Sequence, residues 1–103
     1  MRPVENLQNF FLVYRKNGFS ETLEALCSFP NCEAKQNDFY KVLKERGSYL
    51  NAFFRVKDDL LKGKIIAYRL DENYEKVILL TDKGKDLVKK IKDIEVLLNS
   101  DAE

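Results

Sequence analysis

Apolar side chains recur at three- and four-residue intervals through the first sixty residues, then give way to short β-branched runs after Gly63. Such a change of period marks helices handing over to strands. Near the start, Val4, Leu7, Phe10, Phe11 and Tyr14 share one helical face and Pro3 suits a first turn, so a helix is expected over about 3–16. The run Phe10-Phe11-Leu12-Val13-Tyr14 also has strand propensity, which leaves a strand as the alternative there. Asn17-Gly18 ends this element. Ser20 is expected to cap a short helix from Glu21 to about Phe29, with Leu23, Leu26, Cys27 and Phe29 on its apolar side and Pro30-Asn31 as its stop. The next helix, about Gln36 to Glu45, buries Phe39, Val42, Leu43 and part of Tyr40, and exposes Lys41, Lys44 and Glu45.

Arg46-Gly47-Ser48 reads as a tight turn into another helix, Ser48 to Lys62. Gly47 can take the left-handed conformation that closes one helix, and Ser48 can cap the next. Wound at about 100° per residue, Leu50, Phe53, Phe54, Lys57, Leu60 and Leu61 fall on one side, with the stem of Lys57 lying along it. Asn51, Ala52, Arg55, Asp59 and Lys62 fall opposite. Ser48 and Tyr49 sit at the N-terminal end, where free N–H groups favour a phosphate. Asn and Arg match adenine and guanine edges through two hydrogen bonds each. The plainer interpretation is an amphipathic helix with a solvated outer face.

Beyond Gly63, Lys64–Leu70 and Lys76–Leu80 read as two strands of an antiparallel hairpin with a five-residue tip, Asp71-Glu72-Asn73-Tyr74-Glu75. A hairpin alone is marginal and needs a helical layer under it. Thr81 then caps a last helix from Asp82 to about Asn99, where Leu87, Ile91, Ile94 and Leu98 follow a/d spacing over about two heptads.

With 103 residues, 45% hydrophobic and 34% charged, the chain is expected to form one soluble globular domain. The formal net charge of +1 is unevenly spread: residues 34–64 carry eight basic and four acidic side chains, while the remainder is net negative. Positive charge therefore gathers on the helix pair, as a DNA footprint requires. Cys27 and Cys32 stand in a chain without histidine, too few ligands for a tetrahedral zinc site, so no metal is expected. Buried thiols are expected, a disulfide being the alternative in a hyperthermophile. No Gly-rich phosphate loop and no nucleophile beside a base is present, so neither an enzyme nor a cofactor is expected. No membrane-spanning run or signal peptide is seen, which suggests a cytoplasmic, nucleoid-associated protein.

Helix, helix-turn-helix, two-stranded hairpin, helix is the winged-helix order. The fold class expected is α+β, mainly helical: a winged helix-turn-helix with a two-stranded antiparallel wing and extra N- and C-terminal helices. Its parts are a three-helix core over 20–62, a wing over 64–81 and a last helix over 82–99. The segment Ser20 to Leu98 resembles small archaeal-type winged helix-turn-helix DNA-binding proteins. The resemblance lies in FYKVLKERGSYLNAFFRVKDDLL, in KGKIIAYRL and in ILLTDKGKDLVKKI, above all in the phrase Leu80-Thr81-Asp82-Lys83-Gly84-Lys85. It implies that the second helix of the pair enters the major groove of double-stranded DNA, with Ser48, Tyr49, Asn51, Ala52 and Arg55 as groove residues. It further implies Lys41, Lys44 and Arg46 as phosphate contacts, and Arg69, Asn73 and Tyr74 as wing contacts. The acidic tip departs from the pattern of a strong DNA clamp. Terminal helices of such regulators pair across a two-fold axis, which makes Leu7, Phe10, Phe11, Tyr14, Leu87, Ile91, Ile94 and Leu98 the candidate homodimer residues. The alternative is that both helices pack on their own domain. The expected function is a dimeric transcriptional regulator. A protein-interaction module on the same fold and a non-specific architectural DNA binder are the alternatives.

Overall fold

A computed structural model of the chain describes residue 14 and residues 16–47 and 50–100. Their order is α1 (Phe19–Cys27), a short 3-10 turn (Pro30–Cys32), β1 (Glu33–Lys35), α2 (Gln36–Glu45), α3 (Leu50–Lys62), β2 (Ile66–Leu70), β3 (Lys76–Leu80) and α4 (Asp82–Leu98). This is a winged-helix fold: helices on one side of a small antiparallel sheet. The expected helix over 3–16 and the Ser48 cap lie outside the described residues. The helix pair, the hairpin and the last helix stand where the periodicity predicts them, and Gly47 is left-handed at φ +80°.

Two expectations need correction. The wing sheet has three strands, in the order β1-β3-β2, because Glu33, Ala34 and Lys35 pair with Leu79, Ile78 and Val77. β1 covers the edge of β3 that a two-stranded wing would leave open. The first short helix begins at Phe19, so Ser20 lies inside it and does not cap it. Gly18 holds the cap position, where its N–H donates to Glu21 Oε1 at 3.1 Å. Its φ of +105° suits glycine, and a Cβ there would lie 2.3 Å from the carbonyl oxygen of Ala52. Gly18 thus lets the start of α1 touch the backbone of α3.

The core joins all the layers. Leu23 and Leu26 of α1, Phe39 and Leu43 of α2, Phe53, Val56 and Leu60 of α3, and Ile66, Ile78 and Leu80 of the sheet form one buried cluster. Phe39 and Phe53 meet edge to face at 5.1 Å, which locks the helix pair at its centre. Burying each such side chain stabilises by about 1.5–3 kcal/mol. Thr22 is fully buried, yet its hydroxyl has no hydrogen-bond partner among the described residues.

The Leu-Thr-Asp-Lys-Gly phrase has a physical role. The Thr81 side chain accepts from the N–H of Gly84 at 2.9 Å, starting α4, while its N–H donates to the carbonyl of Ile65 at 3.0 Å. Gly84 packs flat on that backbone: a Cβ would sit 2.3 Å from the Ile65 oxygen. One threonine and one glycine therefore join the sheet to the last helix.

At the wing tip, Asp71 Oδ1 accepts from the N–H groups of Asn73 at 2.8 Å and Glu75 at 2.9 Å. These bonds, that to Glu75 first, hold the Asp71 carboxyl below the usual aspartate range.

Three outcomes are expected from this packing. Thr22→Val removes an unpaired buried hydroxyl at nearly constant shape and should stabilise the fold by about 1 kcal/mol in urea unfolding. Gly18→Ala should destabilise it by more than about 1 kcal/mol, since it adds both backbone strain and a clash with α3. Because the Asp71 carboxyl is depressed in the folded chain, the order it gives the tip is present above the unfolded aspartate pKa of about 3.9 and is lost as pH falls through the folded value. The amide proton shifts of Asn73 and Glu75 should report that loss together, and Asp71→Ala should abolish it at neutral pH.

Candidate nucleic-acid interface

The face that α3 presents follows from which of its residues the core takes. Ala52, Phe53, Val56 and Leu60 are buried. Ala52, expected in the groove-facing stripe, is only 5% exposed and lies against Gly18. This corrects its assignment: the core face is turned from the expected one toward Ala52 and Val56, and Phe54, expected on the core face, is 45% exposed. Asp59 also leaves the stripe, being half-buried and ion-paired with Lys16. What remains uncovered is Asn51, Arg55, Asp58 and Lys62, spaced by four, three and four residues along one side of the helix, with Phe54 beside them. Asn51 and Arg55 are thus exposed side by side. Ser48 and Tyr49 lie outside the described residues.

Lys41, Lys44 and Arg46, on α2 and the turn after it, are exposed. No carboxylate among the described residues pairs with them. They flank the entry to α3 and leave three positive groups free for an anion.

The wing is arranged differently. Arg69 is exposed but engaged: its guanidinium donates to Glu33 Oε2 at 2.8 Å, reaching across β3. Lys35 is drawn to Glu75 at 2.9 Å, which raises its pKa. Asn73 is exposed, its N–H held by Asp71. Tyr74 stands 83% exposed in a left-handed conformation, φ +61°. The tip thus offers a neutral amide and a phenol between Glu72 and Glu75, with no free cation among its described residues.

Behind the tip lies a feature that periodicity did not single out. Tyr68 is on the helix-facing side of β2, in register with Ile78, and Lys76 faces Leu70 two residues along. The Lys76 ammonium sits 4.4 Å from the centroid of the Tyr68 ring, and that of Lys57 sits 5.7 Å from the same ring and 5.9 Å from Phe54. Tyr40 meets Phe54 edge to face at 5.9 Å. Lys57 therefore lies along aromatic surface, as its place in the helix suggests. Burial pushes the Tyr68 phenol up to about 12, so it stays neutral. The signal available was alternation: Tyr68, Leu70, Lys76 and Ile78 share one face of the sheet once the register is known.

Among the residues proposed for dimerisation, Leu7, Phe10 and Phe11 lie outside the described residues. Tyr14 is exposed, its ring meeting that of Phe19 edge to face with centroids 5.6 Å apart. Leu87 and Ile91 are half-buried against their own core, while Ile94, Val96, Leu97 and Leu98 are exposed. A groove of about 390 Å³ separates the start of α1 from α4, walled by Phe19, Leu23, Val88 and Ile91. Cys27 and Cys32 are free thiols; burial first, then a hydrogen bond to Cys32, raises the pKa of Cys27. Among the described residues no group of metal ligands gathers and no helix is long and apolar enough to cross a membrane.

No family model and no curated protein matches the chain. Among solved structures it is similar to a MarR family transcriptional regulator from Silicibacter pomeroyi DSS, with a TM-score of 0.53 and 18% sequence identity over 92% of this chain. The chain spans 65% of that protein's length. At such identity the similarity is one of fold, and it is the winged-helix fold that the elements above define.

Proposed function

We propose that this chain is a DNA-binding transcriptional regulator that acts as a homodimer and reads the major groove with α3. The observation that carries this reading is the uncovered stripe of α3, where Asn51 and Arg55 stand exposed beside each other. Asparagine and arginine are suited to adenine and guanine edges, and Lys62 extends the stripe toward a phosphate. Lys41, Lys44 and Arg46 provide backbone contacts on one flank. Ser48 and Tyr49, outside the described residues, are proposed as further groove residues from the sequence alone. Asn73 and Tyr74 provide uncharged contacts at the wing tip, and Arg69 adds one only by leaving Glu33. The similar fold of a transcriptional regulator supports the reading, as does the gathering of positive charge between residues 34 and 64.

The dimer rests on apolar side chains that the chain itself leaves open. Ile94 and Leu98, with Leu97 beside them, continue α4 beyond its core-packed half, and Tyr14 borders the same groove. Leu7, Phe10 and Phe11, outside the described residues, are proposed for the dimer from the sequence alone. Such a dimer would serve this reading if it presented two copies of α3 to successive turns of a duplex, about 34 Å apart. Action at the nucleoid, inside the cell, goes with this reading.

A second reading, a protein-interaction module, is favoured by one observation: the acidic tip and exposed Phe54 are surfaces that a basic, apolar partner fits better than a duplex does.

Binding to random duplex DNA across a salt series separates the two. If each protomer neutralises three or four phosphates, the dimer should give a log–log salt slope on the order of −6. Arg55→Ala should cost about 1–3 kcal/mol and relax the choice of one base in selection from a random pool. An enriched pair of half-sites one turn apart is the expected outcome of that selection, and enrichment of nothing points to an architectural binder. Absence of salt-sensitive binding to any duplex removes DNA recognition altogether.

A further inference from the structure

We propose that Lys57 and Lys76, held against Tyr68, form the wing-side phosphate contact of the bound duplex and take the place of the acidic tip; this deepens the DNA-binding reading and rests on it. Two other cations of the sheet are neutralised where they stand. Arg69 is paired with Glu33 and Lys35 with Glu75. Glu75, the neighbour of Lys76, is thereby turned to another partner. Lys57 and Lys76 have no carboxylate partner among the described residues, and their ammonium groups lie within 6 Å of one ring.

The surroundings keep that charge available. Tyr68 is a neutral phenol whose hydroxyl is buried without a hydrogen-bond partner, so it offers the lysines a π face and no counter-charge. One ring borders the Lys76 ammonium and two, Tyr68 and Phe54, border that of Lys57; none supplies a counter-charge, and an ammonium's three N–H donors leave some for phosphate oxygens. Asp58, adjacent to Lys57 in sequence, points about 100° round the helix toward the Asn51 stripe. Position fits as well. Phe54 lies between the exposed stripe and Lys57 on α3, and Lys76 stands at the neck of the hairpin opposite Leu70. The two lysines therefore border the reading stripe on its wing side. Lys41, Lys44 and Arg46, on α2 and the turn that follows it, supply the other phosphate contacts.

The test is duplex binding by the full chain across a salt series, read as the log–log slope. Lys57→Gln and Lys76→Gln should each reduce the magnitude of the slope by about one per protomer and weaken matched and mismatched duplexes alike. Lys89→Gln, on the exposed side of α4, should leave the slope unchanged. Tyr68→Phe, which keeps the ring, should bind as the unaltered chain does. Tyr68→Leu should bind more weakly at an unchanged slope, because both charges remain but are no longer held. Slopes unchanged in both lysine variants overturn the contact while leaving DNA recognition by α3 intact. Unaltered affinity in Tyr68→Leu overturns the part given to the ring. If the half-buried Lys57 variant fails to fold by circular dichroism, the exposed Lys76 decides. No salt-sensitive binding by the unaltered chain overturns this contact and the DNA-binding reading together.

Discussion

The rotation of α3 about its own axis decides what the protein offers a partner, and the contact between Gly18 and Ala52 fixes it. A side chain on Gly18 would overlap the Ala52 carbonyl, so the two backbones approach as closely as glycine permits. Ala52 is drawn inward, and Phe53, Val56 and Leu60 follow it into the core. Each inward residue fixes the outward ones by helical spacing. Asn51, Arg55, Asp58 and Lys62 are outside because Ala52, Val56 and Leu60 are inside. Turning the helix to bury Phe54 instead would pull Ala52 from Gly18 and expose Val56, losing a full apolar burial of about 1.5–3 kcal/mol.

This is also where the sequence was ambiguous. FFRVKDDLL supplies more apolar residues than one narrow stripe can hold, so periodicity alone allows two rotations of α3. Composition favours Phe54 inside, while packing favours the smaller Val56 because α1 sits so close. Asn51 and Arg55 remain outward in either rotation, which is why their exposure was legible and the burial of Ala52 was not. The bounds of α2 and β3 were readable from strong local pattern. β1 was not: Glu33-Ala34-Lys35 has no strand propensity, and only its pairing with β3 makes it one. The start of α1 was misplaced because Ser20 is a better cap by propensity than Gly18. The bond that the Gly18 N–H donates to the Glu21 carboxylate and the tertiary contact with Ala52 outweigh that preference.

Charge on the wing shows how little sequence counting says about electrostatics. The pairs Arg69–Glu33 and Lys35–Glu75 are largely exposed, where solvent screening leaves an ion pair little to add to stability. Their larger consequence is on the field outside the sheet. Each removes a cation from the outer surface and leaves Asp71 and Glu72 to set the sign at the tip. On the face toward the helices the same strands carry Tyr68 and Lys76 without a carboxylate. Alternation along two short strands therefore separates a neutralised face from a basic one only a strand's thickness away.

The last helix divides in a comparable way along its length. From Asp82 to Ile91 it is anchored, first by Thr81 and Gly84 and then by Leu87, Val88 and Ile91 on the core. Beyond Ile91 it continues to Leu98 without joining the buried cluster of the described residues. A segment that short does not hold helical form on its own propensity, since isolated helices below about 12 residues are marginal in water. It is stable as the extension of an anchored helix, yet it carries Ile94, Leu97 and Leu98 on neighbouring positions in water. Solvated extensions need only polar residues, and Lys92, Asp93 and Glu95 would have sufficed on every side. Apolar residues at helical spacing past the last core contact are better explained by a second surface. Under the proposed DNA-binding role, a second copy of the same chain is the partner that would also lengthen the site read.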